Sequence, residues 1–153
     1  MLTAWRIVKT RFAAQAFDGE GARLYGGWWN SVGVRMVYTA GSVSLAVLEI
    51  LVHLENADVL PAYSLCAVHF DEALVTSLDR SRPPANWRDS RSPPQLLAIG
   101  DAWVASRSSA VLEVPSAVIE SESLYLINPE HPDFPSLIIE SPRPYTIDQR
   151  LLE

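Results

Sequence analysis

The sequence predicts an α+β fold, one domain in which helices cover a mostly antiparallel or mixed sheet. Three observations carry this. At 153 residues, 48% apolar and 20% charged, the chain has the size and composition of one globular domain able to bury a core. Short apolar runs closed by Gly, Pro or Asn recur along it, as strands do. Twice the apolar spacing switches to the helical period, after Ser42 and after Ser92. No internal repeat or heptad appears, and the Pro-rich stretch Asp79 to Pro94 has too little chain on either side to separate two domains, so residues 1–153 read as one unit.

The elements follow in order. Ala4 to Val8 alternates and is a first strand, and Lys9 to Gly27 reads as a long irregular surface loop. Val34 to Ala40 is a second strand, stopped by Gly41. From Ser42, placed as N-cap, to Glu55, the residues Val43, Ala46, Val47, Ile50, Leu51 and Leu54 fall on one helical face. Leu45 and Leu48 lie off that face, so this helix should be largely buried. Tyr63 to Phe70 is a strand. "DRSRPPANWRDSRSPP", Asp79 to Pro94, is a connection without regular structure. Ser92 with Pro93 and Pro94 opens a helix whose face is Leu96, Leu97, Gly100, Trp103 and Val104 and which ends near Arg107. "AVLEVP", "LYLIN" and "SLIIE" are short strands.

Composition excludes several functions. A net charge of −6 argues against direct nucleic-acid binding, which needs a basic footprint. Eleven of the twelve basic residues are Arg, which suits a phosphate-bearing small ligand, although codon bias accounts for the count itself. The most apolar run, Leu45 to Val52, is too short to span a bilayer and contains Glu49, and no signal-peptide pattern opens the chain, so a cytoplasmic protein without membrane contact is expected. Cys66, the single cysteine, reads as inert core.

Dinucleotide, P-loop, metalloprotease and serine-hydrolase fingerprints are absent, and His53, His69 and His131 stand alone, so no metal is expected. "NPEHPDFP" around His131 is first of all a rigid turn. On the first helix, Ser42, Glu49, His53 and Asn56 form a narrow polar stripe of roughly 60° at the helical period of about 100° per residue. That stripe fits either a flank touching solvent or a carboxylate lining a cleft. Ser116, at a strand exit, reads by pattern as a backbone-capping hydroxyl.

The order of "WRIV", "GEGARLYGGWWNSVGVRMVYTAGSVSLAVLEILVH", "VLEVPSAVIESESLYLINPEHPDF" and "IDQRLLE" resembles the RES-domain family, the toxin half of Xre-RES toxin-antitoxin pairs, over nearly the whole chain. The resemblance implies a fold similar to ADP-ribosyltransferase toxins. It also implies NAD+ as substrate, depleted by cleavage of the nicotinamide-ribose bond through hydrolysis or phosphorolysis, with transfer of ADP-ribose to a protein as the alternative. Glu49, Tyr38 and Ser116 match the family's catalytic positions, and Arg6, Trp28 and Asn30 fall at NAD-binding ones. The implied partner is an Xre-type helix-turn-helix antitoxin covering the cleft, an arrangement compatible with a toxin homodimer. At position 28 the family carries Arg where this chain has Trp, which implies an attenuated enzyme or a catalytically dead binding protein. A hydrolase of another nucleotide is a third reading. The flanking Gly26 and Gly27 are expected to let the backbone approach a ligand closely.

Overall fold

The computed structural model describes residues 1–54 and 61–152. Among the described residues, eight strands form one sheet. They are β1 (Leu2–Lys9), β2 (Val37–Ala40), β3 (Tyr63–Phe70), β4 (Val75–Ser77), β5 (Val111–Pro115), β6 (Ser123–Ile127), β7 (Ile138–Ile139) and β8 (Arg143–Tyr145). The order is β4-β5-β6-β2-β1-β3-β7, and β8 continues along the same edge of β3 as β7. All pairs are antiparallel except β4 with β5, so the sheet is mixed, as predicted.

The join between β2 and β1 positions the site. β1 pairs with β3 along its full length, from Leu2↔Phe70 to Lys9↔Tyr63, yet meets β2 only at Trp5↔Ala40. Beyond that pair the two halves of the sheet diverge. Helix α2 (Val43–Leu51) follows β2 directly and packs on β1 and β2 at this divergence. Ser42 caps it as expected, its hydroxyl accepting from the Leu45 amide at 3.1 Å.

The main core fills one face of the sheet, with Ile7, Leu65, Leu112, Leu124 and Leu126 from the strands packed against Leu45, Ala46 and Val47 of α2 and Leu96 and Trp103 of α3 (Pro94–Ser106). The other face carries a second cluster around Val37, Val68, Phe70, Val111 and Ile127. Cys66 is buried in a third, small cluster, as its context implied.

Several predicted boundaries move, each for a local reason. The loop Lys9 to Gly27 contains a 3-10 turn (Thr10–Gln15) and a short helix α1 (Glu20–Tyr25). This helix is made locally: Asp18 accepts from the Glu20 amide at 2.8 Å, and Arg23 Nε donates to Glu20 at 2.8 Å. Such a one-turn helix is too short to show an apolar period. Strand β2 starts at Val37 rather than Val34, because the Val34 carbonyl turns to accept from Asn30 Nδ2 at 3.0 Å. Helix α2 ends at Leu51, where the His53 and Leu54 amides drop to i−3 carbonyls; Glu55 and Asn56 lie outside the described residues. Leu45, placed off the predicted face, is among its most buried residues, whereas Ser44, Val52 and His53 are exposed, so α2 is covered on one side and open on the other. "SLIIE" shrinks to the two residues of β7, exposed at the sheet edge. Strands β4 and β8, three residues each, carry no readable pattern.

Candidate active site

Gly26 and Gly27 lead into the site, and only part of their expected purpose holds. Gly26 sits at φ 72°, a left-handed conformation that favours glycine. Gly27 is required by the protein's own packing: a Cβ there would stand 2.5 Å from the Tyr38 hydroxyl and 2.7 Å from Asn30 Oδ1. The close approach therefore serves a side-chain network. The Tyr38 hydroxyl donates to Asn30 Oδ1 at 2.6 Å and accepts from the Trp29 amide at 2.9 Å. Asn30 Nδ2 donates to the carbonyls of Ala22, Ser31 and Val34. Burial pushes the Tyr38 phenol above its usual range, so it remains a protonated donor.

Asn30 is 1% exposed and its amide is fully engaged, so it holds the turn and Tyr38 and does not itself face the cleft. Trp29 is buried beneath the turn against α3, where a Cβ on Gly100 would lie 1.7 Å from the Trp29 carbonyl oxygen. The helix-facing glycine is thus fixed by the turn it packs on.

Glu49 lies on the open side of α2 and faces the cleft. Ser116, at the end of β5, donates to Glu49 Oε1 at 2.7 Å, and its oxygen accepts from the amides of Val118 and Ile119 at 3.1 and 3.0 Å. The capping role read from the pattern and the contact to Glu49 are therefore one arrangement: the two amides fix the hydroxyl so that its proton points at the carboxylate. Partial burial raises the Glu49 pKa, while the Ser116 hydrogen bond and His53 oppose that rise. Of the polar stripe on α2, Glu49 and His53 both line the cleft.

Arg6 bridges the gap between β1 and β2, its Nη1 donating to the Tyr38 carbonyl at 3.1 Å. Its Nε is buried with no hydrogen-bond partner among the described residues, and burial lowers the guanidinium pKa. Trp28 is partly buried against the main core, donating from Nε1 to the Trp87 carbonyl at 3.1 Å, while its own carbonyl accepts from Ser92. Ser92 thus ties the Asp79 to Pro94 connection to the Gly-Gly turn; Pro93 occupies the N-cap of α3.

These groups surround an open cleft of about 790 Å³ at the divergence of the sheet. Arg6, Trp28, Tyr38 and Glu49 line it, with Ser116 and Asn30 directly behind Glu49 and Tyr38. Arg88 and Ser90 also line it and were not singled out from the sequence. An indole followed by a guanidinium within an otherwise aperiodic Pro-rich stretch was the available signal. A second depression of about 610 Å³, lined by Phe17, Arg35 and Phe134 among others, contains none of the predicted site residues. His131 belongs to its turn: Nε2 faces the Arg107 carbonyl at 2.9 Å and Nδ1 accepts from the Asp133 amide. Among the described residues, no group of three or more His, Cys, Asp or Glu side chains could hold a metal, and no helix is long and apolar enough to cross a membrane.

A mixed sheet with one helix laid over its division and a carboxylate, a tyrosine and an arginine lining the cleft there makes an α+β domain with a candidate active site between its halves. Comparison narrows the class: residues 3–148 match the RES domain model, and the chain belongs to the RES-domain family. It is 36% identical to a protein of Yersinia enterocolitica named "Toxin Res", over 96% of this chain and 97% of that one. It is 33% identical to the "Prs ADP-ribosylating toxin" of a Sphingobium species, covering 97% of this chain and 95% of that one. Its fold is shared with a chain in the crystal structure of the M. tuberculosis MbcT-MbcA toxin-antitoxin complex, with TM-score 0.76, 19% identity and coverage of 98% and 86%.

Proposed function

We propose that this protein is a toxin-antitoxin toxin that cleaves the nicotinamide-ribose bond of NAD+ in the cleft beside Glu49. The observation that supports this most is the Ser116–Glu49 hydrogen bond: a half-buried carboxylate oriented by a fixed hydroxyl, facing a cleft that also holds a buried, incompletely paired guanidinium. Breaking the bond sends its electron pair to the departing, now neutral nicotinamide and leaves positive charge on the ribosyl carbon. Glu49, as the anion, stabilises that charge and hydrogen-bonds the ribose hydroxyls. Water or phosphate then adds to the carbon and releases a proton. Tyr38 supplies an aromatic wall for the nicotinamide, and Arg6 a cation for the diphosphate. Asn30 and Ser116 act as positioning residues for Tyr38 and Glu49.

The name of the Sphingobium relative favours a second reading in which a protein side chain is the acceptor. Incubating the purified protein with NAD+ and following free nicotinamide tests the first reading, and products formed with and without phosphate identify the acceptor. Nicotinamide release no faster than in protein-free buffer overturns it. An Xre-type antitoxin that covers the cleft should prevent NAD+ entry, so equal NAD+ affinity of free toxin and complex would exclude inhibition by occlusion.

A further inference from the structure

The cleft has a second cation besides Arg6, supplied by a segment without regular structure. We propose that Arg88 is a diphosphate-binding residue of this site, and that Trp28 holds the segment that presents it. The inference rests on the reading of the cleft as an NAD+ site.

Arg88 lines the cleft together with Ser90, Ala117 and Val118. Its guanidinium is fixed from three directions: Nε donates to the Ala117 carbonyl at 2.9 Å, Nη2 to the Val118 carbonyl at 3.3 Å, and Nη1 to Glu120 Oε2 at 2.9 Å. All three acceptors belong to the turn that begins at Ser116, whose hydroxyl orients Glu49. The same turn therefore carries both the catalytic carboxylate's hydrogen-bond donor and the mounting of Arg88, which sets the cation beside the reacting end of the cleft.

Those contacts use one N–H from each nitrogen, three of the five a guanidinium carries, and the fork suits bidentate binding of phosphate oxygens. The Glu120 contact can yield to a ligand: the two side chains are 40% and 60% exposed, and pairs at that exposure hold weakly. Trp28 contributes from the other side. Its indole N–H bonds the carbonyl of Trp87, the residue immediately before Arg88, and its own carbonyl is held by Ser92. The side chain at position 28 thus anchors the peptide that carries the cation, and an arginine at position 28 is not needed to supply it.

The test measures ligand binding by quenching of intrinsic tryptophan fluorescence, with Trp28 and Trp87 in or beside the cleft, and nicotinamide release in parallel. The probes are ADP-ribose, which has the diphosphate, and nicotinamide riboside, which lacks it. Arg88→Ala should weaken ADP-ribose binding about ten- to a hundredfold, the loss of one charge-assisted phosphate contact. Binding of nicotinamide riboside, which has no phosphate, should change less than about twofold, since its contacts elsewhere are untouched. Glu120→Gln, which removes the competing carboxylate, should tighten ADP-ribose binding a few-fold. A residue that merely clamped the connection would give the opposite pattern: both probes weakened alike by Arg88→Ala, and ADP-ribose binding unchanged or weakened by Glu120→Gln. Either result overturns the proposal, as does wild-type protein that does not bind ADP-ribose. A wild type that binds ADP-ribose through Arg88 yet frees no nicotinamide from NAD+ would sink the cleavage reading alone.

Discussion

The cluster Gly27–Tyr38–Asn30 and the wall Arg6–Glu49 lie side by side and treat their polar groups differently. In the first, the Tyr38 hydroxyl both donates and accepts, and the Asn30 side chain reaches three carbonyls and a phenol. In the second, Arg6 Nε has no partner among the described residues and Glu49 is partly desolvated, with the Ser116 hydroxyl for support. A saturated buried network specifies a single arrangement, whereas an under-satisfied one costs stability and is ready to accept a ligand. The polar groups of the first cluster are therefore scaffold, leaving the cleft only the Tyr38 ring, and the second is site, although both were expected to touch ligand.

The largest effect should come from disturbing the scaffold. Gly27→Ala places a methyl group 2.5 Å from the Tyr38 hydroxyl, a position that hydroxyl cannot leave without giving up both hydrogen bonds. Overpacking of this kind costs about 1–3 kcal/mol, and for a chain of this size each kcal/mol lowers Tm by roughly 2–4 °C. Thermal unfolding should thus show a fall of about 2–12 °C, with activity lost through displaced Tyr38. A variant as stable as the parent would mean that the network is loose, and the contrast with the site would disappear.

Glu49→Gln should act in the reverse sense. It removes charge but keeps an oxygen for Ser116, so nicotinamide release should fall at least about a hundredfold, as for the loss of an electrostatic stabiliser. Because burial raises the Glu49 pKa, the folded protein binds this proton more tightly than the unfolded chain does. Stability associated with Glu49 is then present at low pH and lost as pH rises above its ordinary value of 4.5. The variant should melt at a higher temperature than the parent at pH 7, and the gap should close as pH falls toward 4.5. Equal melting temperatures at pH 7 would show that Glu49 carries no strain.

Ser116→Ala sharpens the same point more gently. The hydroxyl favours the charged carboxylate, so its loss should raise the Glu49 pKa further and move the acid limb of the pH–rate profile to higher pH. An unmoved limb accompanied by a uniformly lower rate would assign Ser116 to the turn alone.

How far this contrast could be read in the sequence depends on where each signal lies. Helix α2, strand β3 and the onset of α3 repeat a period over many residues and were legible, as was the polar stripe that puts Glu49 on an open face. The motif order was legible as family membership. The split between β1 and β2 was not, because register is a relation between distant segments and only Trp5↔Ala40 survives of it. For the same reason Gly27 was taken to make room for a ligand, when the atom it makes room for is eleven residues further along the chain. Arg88 sits in a segment without period, and its importance arises only from three acceptors about thirty residues away.

Trp28→Arg should produce the smallest change, and it separates two accounts of position 28. Measured against the family pattern, the indole is a lost phosphate contact, and restoring arginine should raise turnover about ten- to a hundredfold, the worth of one charge-assisted contact. In the structure, Trp28 packs against the main core and its N–H holds the Trp87 carbonyl beside Arg88. Arginine at this site gains a cation in a cleft that already has Arg6 and Arg88, and loses the packing and the anchor of the Arg88 segment. These effects oppose one another, so nicotinamide release should stay within about threefold of the parent, well short of the gain from one added contact. Tm should fall slightly, because a half-buried indole is replaced by a charge. Trp28→Phe, which keeps an aromatic ring but loses the N–H together with the five-membered ring, should weaken ADP-ribose binding a few-fold and leave nicotinamide riboside unaffected. A large gain for Trp28→Arg together with no loss for Trp28→Phe would mean that the tryptophan is an attenuating replacement and that Arg88 does not fill its place.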